Sequence, residues 1–222
     1  MFDVLHFKVL DSTQTYALAH HHTFNQHTLI QADQQTQGRG YRGRTWHSQS
    51  GNFHATAVLK NLCIPLQYRG KLALVTAVAV GDYLQTLDVM EFGYKWPNDI
   101  LGYDTVHKTY SKLSGILIHC FDDDVLIGCG INLTHAPTVE GYASICLQDL
   151  APHAVERFSP HHFMECLIKT FDDFKLQGFE TYRQAWLKRC VHINKPVTFY
   201  NTTHGVFRGI DAEGMAIMEH VL

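Results

Sequence analysis

Three arginines and three glycines fall within seven residues, Gly38-Arg39-Gly40-Tyr41-Arg42-Gly43-Arg44, inside 48 positions between Asp33 and Asp82 that hold no carboxylate. Guanidinium groups are permanently charged forks that match phosphate and carboxylate geometry. Glycines let a backbone curl and bring its N–H groups against an anion. With no acid in the segment to neutralise Arg39, Arg42 and Arg44, the loop is expected to hold the phosphates of a nucleotide. The spacing Gly38-x-Gly40-x-x-Gly43 spells a dinucleotide-binding fingerprint, but the residues after it, Arg44 to Asn52, are turn-like rather than helical. No acid stands about 20 residues further on to hold a ribose. A Walker A loop is excluded because Gly-Lys-Ser/Thr is absent. The bland alternative is a solvated basic turn. A nucleic-acid patch would need more basic surface than the chain supplies.

Two further constellations could join that loop. Lys95-Trp96-Pro97-Asn98-Asp99 sits at an expected strand end, where proline ends ladder pairing and turns the chain. Asn98 and Asp99 are then expected to project from the rim of a sheet, a helix cap or Asx turn being the plainer reading. Lys112-Leu113-Ser114-Gly115-Ile116-Leu117 places a lysine at the start of an apolar strand, and Gly128-Cys129-Gly130-Ile131-Asn132 puts two glycines into another. Glycines inside strands weaken them and mark a bulge or a close approach of ligand to backbone.

The elements needed to position these groups follow from periodicity. Strands are expected at 3–9, 28–32, 52–60, 91–95, 112–120 and 125–133, and short ones at 196–200, 205–210 and 215–218. Asp11-Ser12-Thr13 caps a helix over 14–20. Longer helices are expected at 69–87, the longest pattern, and at 158–177 and 181–188. Strands mixed with segregated helices argue for α+β with a largely antiparallel sheet. The chain is expected to divide into a large domain at 1–190 and a small β module at 191–222.

Composition narrows the function class. The formal charge is −3, so there is no global basic field for DNA or anionic lipid. No run approaches the roughly 18 apolar residues of a membrane span, and Met1 to Phe7 lacks a signal-peptide layout. Six scattered cysteines without Cys-x-x-Cys suit free thiols in a reducing, cytoplasmic compartment. The His20-His21-His22 cluster is read as a helix end running into a polar loop, and no metal site is expected. The turn Asp122-Asp123-Asp124 is read as solvated.

Taken together, Asp11-Ser12-Thr13, Gln35-Thr36-Gln37-Gly38-Arg39-Gly40, Gly43-Arg44-x-Trp46, Lys95 to Asp99, Lys112 to Leu117 and Gly128-x-Gly130-Ile131-Asn132 resemble the biotin protein ligase family. Their order and spacing agree over most of the first 135 residues. Lys195-Pro196-Val197 resembles the opening of that family's SH3-like β module, here shortened. The resemblance implies a class II synthetase-like catalytic domain and a monofunctional ligase, monomer or homodimer, with no room before Asp11 for a DNA-binding domain. It implies ATP with Mg2+ and biotin as substrates, and a biotin carboxyl carrier protein as partner. Biotin and ATP would form biotinyl-5′-AMP, whose acyl group passes to a carrier lysine.

By the same resemblance, Lys112 would bridge the biotin carboxylate and the α-phosphate, and Arg39 and Arg44 would clamp phosphates. Ser12, Thr13 and Gln35 would bond the ureido ring, with Gly38, Arg39, Gly115, Gly128 and Gly130 completing the biotin site. Tyr41, Arg42, Trp46, Asn98 and Asn132 would face the nucleotide, Trp46 covering the adenylate. Asp99 would position the incoming lysine. The chain departs from the family pattern at Tyr41 (usually arginine), Gln14 (often asparagine), His54 (usually tyrosine) and in about six extra residues between Asp99 and Lys112. The rival readings are a lipoate-ligase-like acyl transferase and a non-catalytic binder of biotin or adenylate.

Overall fold

Alternating side chains along seven strands give one large sheet with two unlike faces. The computed structural model describes residues 1–139, 141–199 and 203–220. The sheet comprises β1 (Phe2–Leu10), β2 (His27–Gln35), β3 (Phe53–Leu59), β4 (Phe92–Lys95), β5 (Asp99–Asp104), β6 (Thr109–Phe121) and β7 (Asp124–Ile131), in the spatial order β1-β2-β3-β7-β6-β5-β4. β1 and β2 are parallel and every other neighbouring pair is antiparallel. The helices are α1 (Thr13–His20), α2 (Leu66–Arg69), α3 (Leu72–Thr86), α4 (Leu147–Leu150), α5 (Pro152–Arg157), α6 (Pro160–Gln177) and α7 (Phe179–Lys188). A second, three-stranded sheet holds β8 (Lys195–Phe199), β9 (Thr203–Ile210) and β10 (Ala216–Glu219) in the order β10-β9-β8.

One face of the large sheet carries the core. Phe53, Ala55, Ala57 and Leu59 of β3 and Val125, Ile127, Cys129 and Ile131 of β7 share one buried cluster with α3, α6 and α7. α3 is apolar nearly all round, which fits a helix enclosed between sheet and neighbouring helices. Ser159 caps α6 by accepting from His162 N, Pro160 sits in its first turn, and Gly178 at φ 75° ends it. The opposite face is covered near β2 and β3 by α1, where Ala17 packs with Ile30, Val58 and Leu126.

Several expected boundaries move for identifiable reasons. The helix expected over 69–87 is α3, which starts only at Leu72 after the short α2, and α6 is the longest helix among the described residues. The extra residues between Asp99 and Lys112 are not a loop but an extended hairpin, with Asp104 paired to Thr109. Lys112 therefore lies inside a strand rather than at its start. The Asp122–Asp124 turn is only partly solvated: Asp124 is 2.5 Å from Lys60 Nζ and 3.2 Å from His21 Nδ1. Burial opposes ionisation of Asp124, but hydrogen bonds from Lys60, Asn61 N and His21 outweigh it and hold the carboxyl below its ordinary pKa. His20 to His22 continue α1 into a short 3-10 turn, as expected. The strand expected at 196–200 is β8; Tyr200 lies outside the described residues, as does the chain end at Leu222.

The small sheet is fastened along one side. Phe207 and Ile210 enter the main core. Arg183 Nη1 donates to Ile210 O, Trp96 Nε1 donates to Gly214 O, and the buried Lys71 pairs with Glu213 at 2.9 Å.

α3 touches β4 through Gly81, where a Cβ would stand 2.0 Å from Tyr94 Oη and 2.8 Å from Phe92 Cε2. Alanine normally favours a helix over glycine by about 1 kcal/mol. Because Tyr94 is buried beside Trp186, Gly81→Ala should instead lower stability by about 1–3 kcal/mol, read as an earlier midpoint in urea denaturation.

Candidate active site

Register on the face opposite the core assembles the site. His54 on β3 stands opposite Gly130 on β7, which stands opposite Gly115 on β6, which stands opposite Asp99 on β5. The next row runs Thr56, Gly128, Leu117, and the next Val58, Leu126, His119. Strict alternation would turn Lys112 away from Gly115. A bulge corrects this: Ile100 pairs with Ser114 and Leu101 with Lys112, leaving Leu113 without a Cα partner. Lys112 thereby joins the row of Gly115, whose added Cβ would lie 3.4 Å from Lys112 Nζ.

Over these rows lies a cleft bordered by α1, the glycine–arginine loop and strands β3, β6 and β7. It brings together Ser12, Thr13, Gln35, Arg39, Tyr41, Trp46, Asn98, Lys112, Gly115, Gly128 and Gly130 of the expected set. At one end, neutral polar side chains form a chain of hydrogen bonds. Thr13 N donates to Gln35 Oε1 at 2.8 Å, with Thr13 Oγ1 3.1 Å from the same oxygen, and Gln35 Nε2 donates to Ser48 Oγ at 2.7 Å. Thr56 Oγ1 is 3.0 Å from both Thr13 Oγ1 and Gln14 Oε1. Ser12 caps α1, accepting from Thr15 N. Gln14, Thr56 and Ser48 were not singled out as site residues; only the departure at Gln14 hinted at one of them.

The other end is charged. Lys112 Nζ is 2.7 Å from Asp99 Oδ1, with both side chains about one-fifth exposed. The same ammonium lies 5.5 Å from the ring centres of Trp46 and Tyr142. Burial, then Asp99, raises the Tyr142 pKa, while Arg44 opposes them. Asn98 spends its amide on Ile116 O, 2.7 Å away, so it braces the β5–β6 junction. Asn132 is 1 % exposed and donates to Lys112 O and Ile145 O, while its Oδ1 has no hydrogen-bond partner. It borders a smaller recess shared with Trp46, Lys112 and Tyr142.

The loop closes as an antiparallel bridge between Arg39 and Thr45, with Gly40 N donating to Arg44 O. Arg42 at φ 57° and Gly43 at φ 75° make its tip. Arg39, Arg42 and Arg44 are exposed, and no carboxylate forms an ion pair with Arg39 or Arg44 among the described residues. Arg42 borders the outer side of the loop, near the ring of Tyr41, while Arg44 borders both that side and a neighbouring recess lined by Asp99, Lys112 and Tyr142. Gly38 serves the loop's own return: a Cβ there would meet Trp46 O at 2.4 Å.

The glycines differ from expectation in what covers them. A Cβ on Gly130 would lie 2.3 Å from Trp46 Cε2, and one on Gly115 would lie 3.0 Å from Trp46 Cζ3. Over Gly128 lies Gln14 Oε1, at 2.4 Å from such an atom. The bare backbone expected to meet a ligand therefore meets this chain's own side chains. His54 holds the indole from its far side: Trp46 Nε1 donates to His54 Nδ1 at 3.4 Å, and His54 Nε2 donates to Gln49 O at 3.1 Å. Burial keeps the His54 pKa low, against the contrary pull of that carbonyl, which fits a neutral ring with its proton on Nε2.

Comparison with known proteins bears on the family and the fold. A sequence model of the biotin/lipoate A/B protein ligase family matches residues 6–132. The bifunctional ligase/repressor BirA of Bacillus subtilis is 32 % identical over 234 residues, covering 97 % of this chain and 69 % of that protein. A biotin–[acetyl-CoA-carboxylase] ligase of Paracoccus denitrificans is 32 % identical over 227 residues, 94 % of this chain and 90 % of that one. Among solved structures, the biotin protein ligase of Aquifex aeolicus in complex with biotin and ATP superposes with a TM-score of 0.77 at 24 % identity, covering 97 % of this chain and 91 % of that chain. That likeness supports the α+β fold. With more than half of its length matched by the family model, and these two relatives aligned along nearly all of it, the chain belongs to the biotin/lipoate A/B protein ligase family.

Proposed function

We propose that the chain is an ATP-dependent biotin–protein ligase. The observation that carries this reading is the cleft's division into a neutral hydrogen-bonding end and a cationic end holding Lys112. Biotin has the matching division, a ureido ring at one end and a carboxylate at the other. The Thr13–Gln35–Thr56 cluster offers donors and acceptors to the ring, which must regain hydrogen bonds when it leaves water. In the first step a biotin carboxylate oxygen attacks the α-phosphorus of ATP, the bond to the bridging oxygen breaks, and pyrophosphate leaves. Two anions must approach, so the cations of Lys112, Arg39 and Arg44 stabilise charge that develops at phosphorus. Asp99 holds the ammonium of Lys112 beside Gly115 until substrate competes for it.

Magnesium would travel with the triphosphate. The unpartnered Oδ1 of Asn132 is an oxygen donor in the recess shared with Lys112, suited to a hard cation that keeps most of its ligands as phosphate and water. Bound there, it would neutralise phosphate charge. In the second step the lysine amine of a carboxyl carrier protein attacks the acyl carbon and AMP departs. The amine must be neutral to attack, and Asp99 is the carboxylate at the cleft mouth that can orient it. Residues 191–222 act in this reading as a small module packed against the catalytic domain. No helix among the described residues is long and apolar enough to cross a membrane.

Incubation with biotin, magnesium, ATP and a purified carboxyl-carrier domain should yield a singly biotinylated carrier by mass spectrometry; lipoate in place of biotin should not modify it. No modification would sink the reading. Lys112→Ala should lower biotin-dependent ATP–pyrophosphate exchange by about 100-fold or more, with far-ultraviolet circular dichroism unchanged. Asp99→Asn should retain exchange within a few-fold and slow transfer from preformed adenylate by more than about tenfold. Tyr41→Arg should leak less adenylate than the wild type, measured as reduced labelling of bystander lysines.

A further inference from the structure

Gln14 and His119 form a part-buried pair that the mechanism above leaves unused. Gln14 is 3 % exposed on α1, and His119 is half-buried on β6. Gln14 Nε2 lies 2.9 Å from His119 Nδ1, while Gln14 Oε1 accepts from Thr56 and covers Gly128. An amide NH2 can only donate, so this contact requires an unprotonated Nδ1 and places the histidine proton on Nε2. The orientation of Gln14 is thus set from outside the cleft. Gln14 in turn connects through Thr56 to Thr13 and Gln35, the polar end that the proposed function assigns to the ureido ring.

We propose that His119 is a positioning residue for substrate: by accepting from Gln14 it keeps the Gln14 carbonyl oxygen turned toward Thr56 and the cleft floor. This deepens the ligase reading and rests on it. Protonation of His119 makes Nδ1 a donor. Gln14 must then rotate its amide, presenting NH2 where a carbonyl oxygen stood, and Thr56 must accept from it rather than donate. A ring N–H that used this acceptor loses its partner. Arg39 is the charged group facing His119, and its uncharged neighbours are Gln14 on α1 and Leu126 on β7. Burial first, and Arg39 second, lower the His119 pKa from its ordinary value near 6.5. The neutral form, and with it the arrangement seen here, is therefore retained at neutral pH and lost as acidity rises below that value.

Biotin KM and kcat in the pyrophosphate exchange assay, measured at about pH 7.5 and about pH 5.5, test this; the biotin carboxylate stays largely ionised across that range. In the wild type KM should rise on acidification, by less than about tenfold because His119 protonates only below about 6.5, with a smaller change in kcat. Asparagine presents an oxygen near the place of Nδ1 and does not titrate, so His119→Asn should abolish that rise. His119→Leu, lacking any acceptor, should raise KM several-fold at both pH values. A wild-type ratio in His119→Asn, or a wild-type KM in His119→Leu, overturns the assignment. Absence of exchange in the wild type overturns the ligase reading and the inference with it.

Discussion

The site exists because a sheet has a two-residue period and this one breaks it once. Gly115, Gly128 and Gly130 fall on the same face as His54 and Thr56 through register alone, with the core consuming the alternate residues. Lys112 would fall on the wrong face without the unmatched Leu113. The bulge turns a core-facing position into one beside Asp99, and the ion pair between them follows.

Much of this was legible in the chain. Alternating apolar runs identified six of the seven large-sheet strands, and Ser12 with Thr13 identified the start of α1 because short hydroxyl side chains cap helices. The acid-free arginine segment is legible because charge pairing leaves a compositional trace. What escaped was whatever depends on pairing between distant strands. β5 was missed because its residues look like the tail of the Pro97 turn, and only Thr109–Lys112 completes them as a strand. The bulge has no local signature. Gln14 and His119 are 105 positions apart, and nothing in either neighbourhood marks a partner.

Electrostatics divides labour across the cleft. At the neutral end the hydroxyls and amides already contact one another, so a ligand enters by replacing hydrogen bonds within that cluster. At the charged end no carboxylate among the described residues pairs with Arg39 or Arg44, whereas Lys112 pairs with Asp99. A dianionic encounter is favoured there without paying to unmake a dense salt-bridge network. The low pKa of His54 prevents a further cation from forming under Trp46.

Trp46 occupies two vacant positions at once, those over Gly115 and Gly130. The indole is therefore an internal competitor: any guest that settles on those glycines displaces a surface already well packed. Net affinity is the difference between two fits rather than the value of one. The displaced ring, with its bond to His54 broken, becomes a fluorophore whose surroundings change on occupancy, and the protein carries its own reporter of the event.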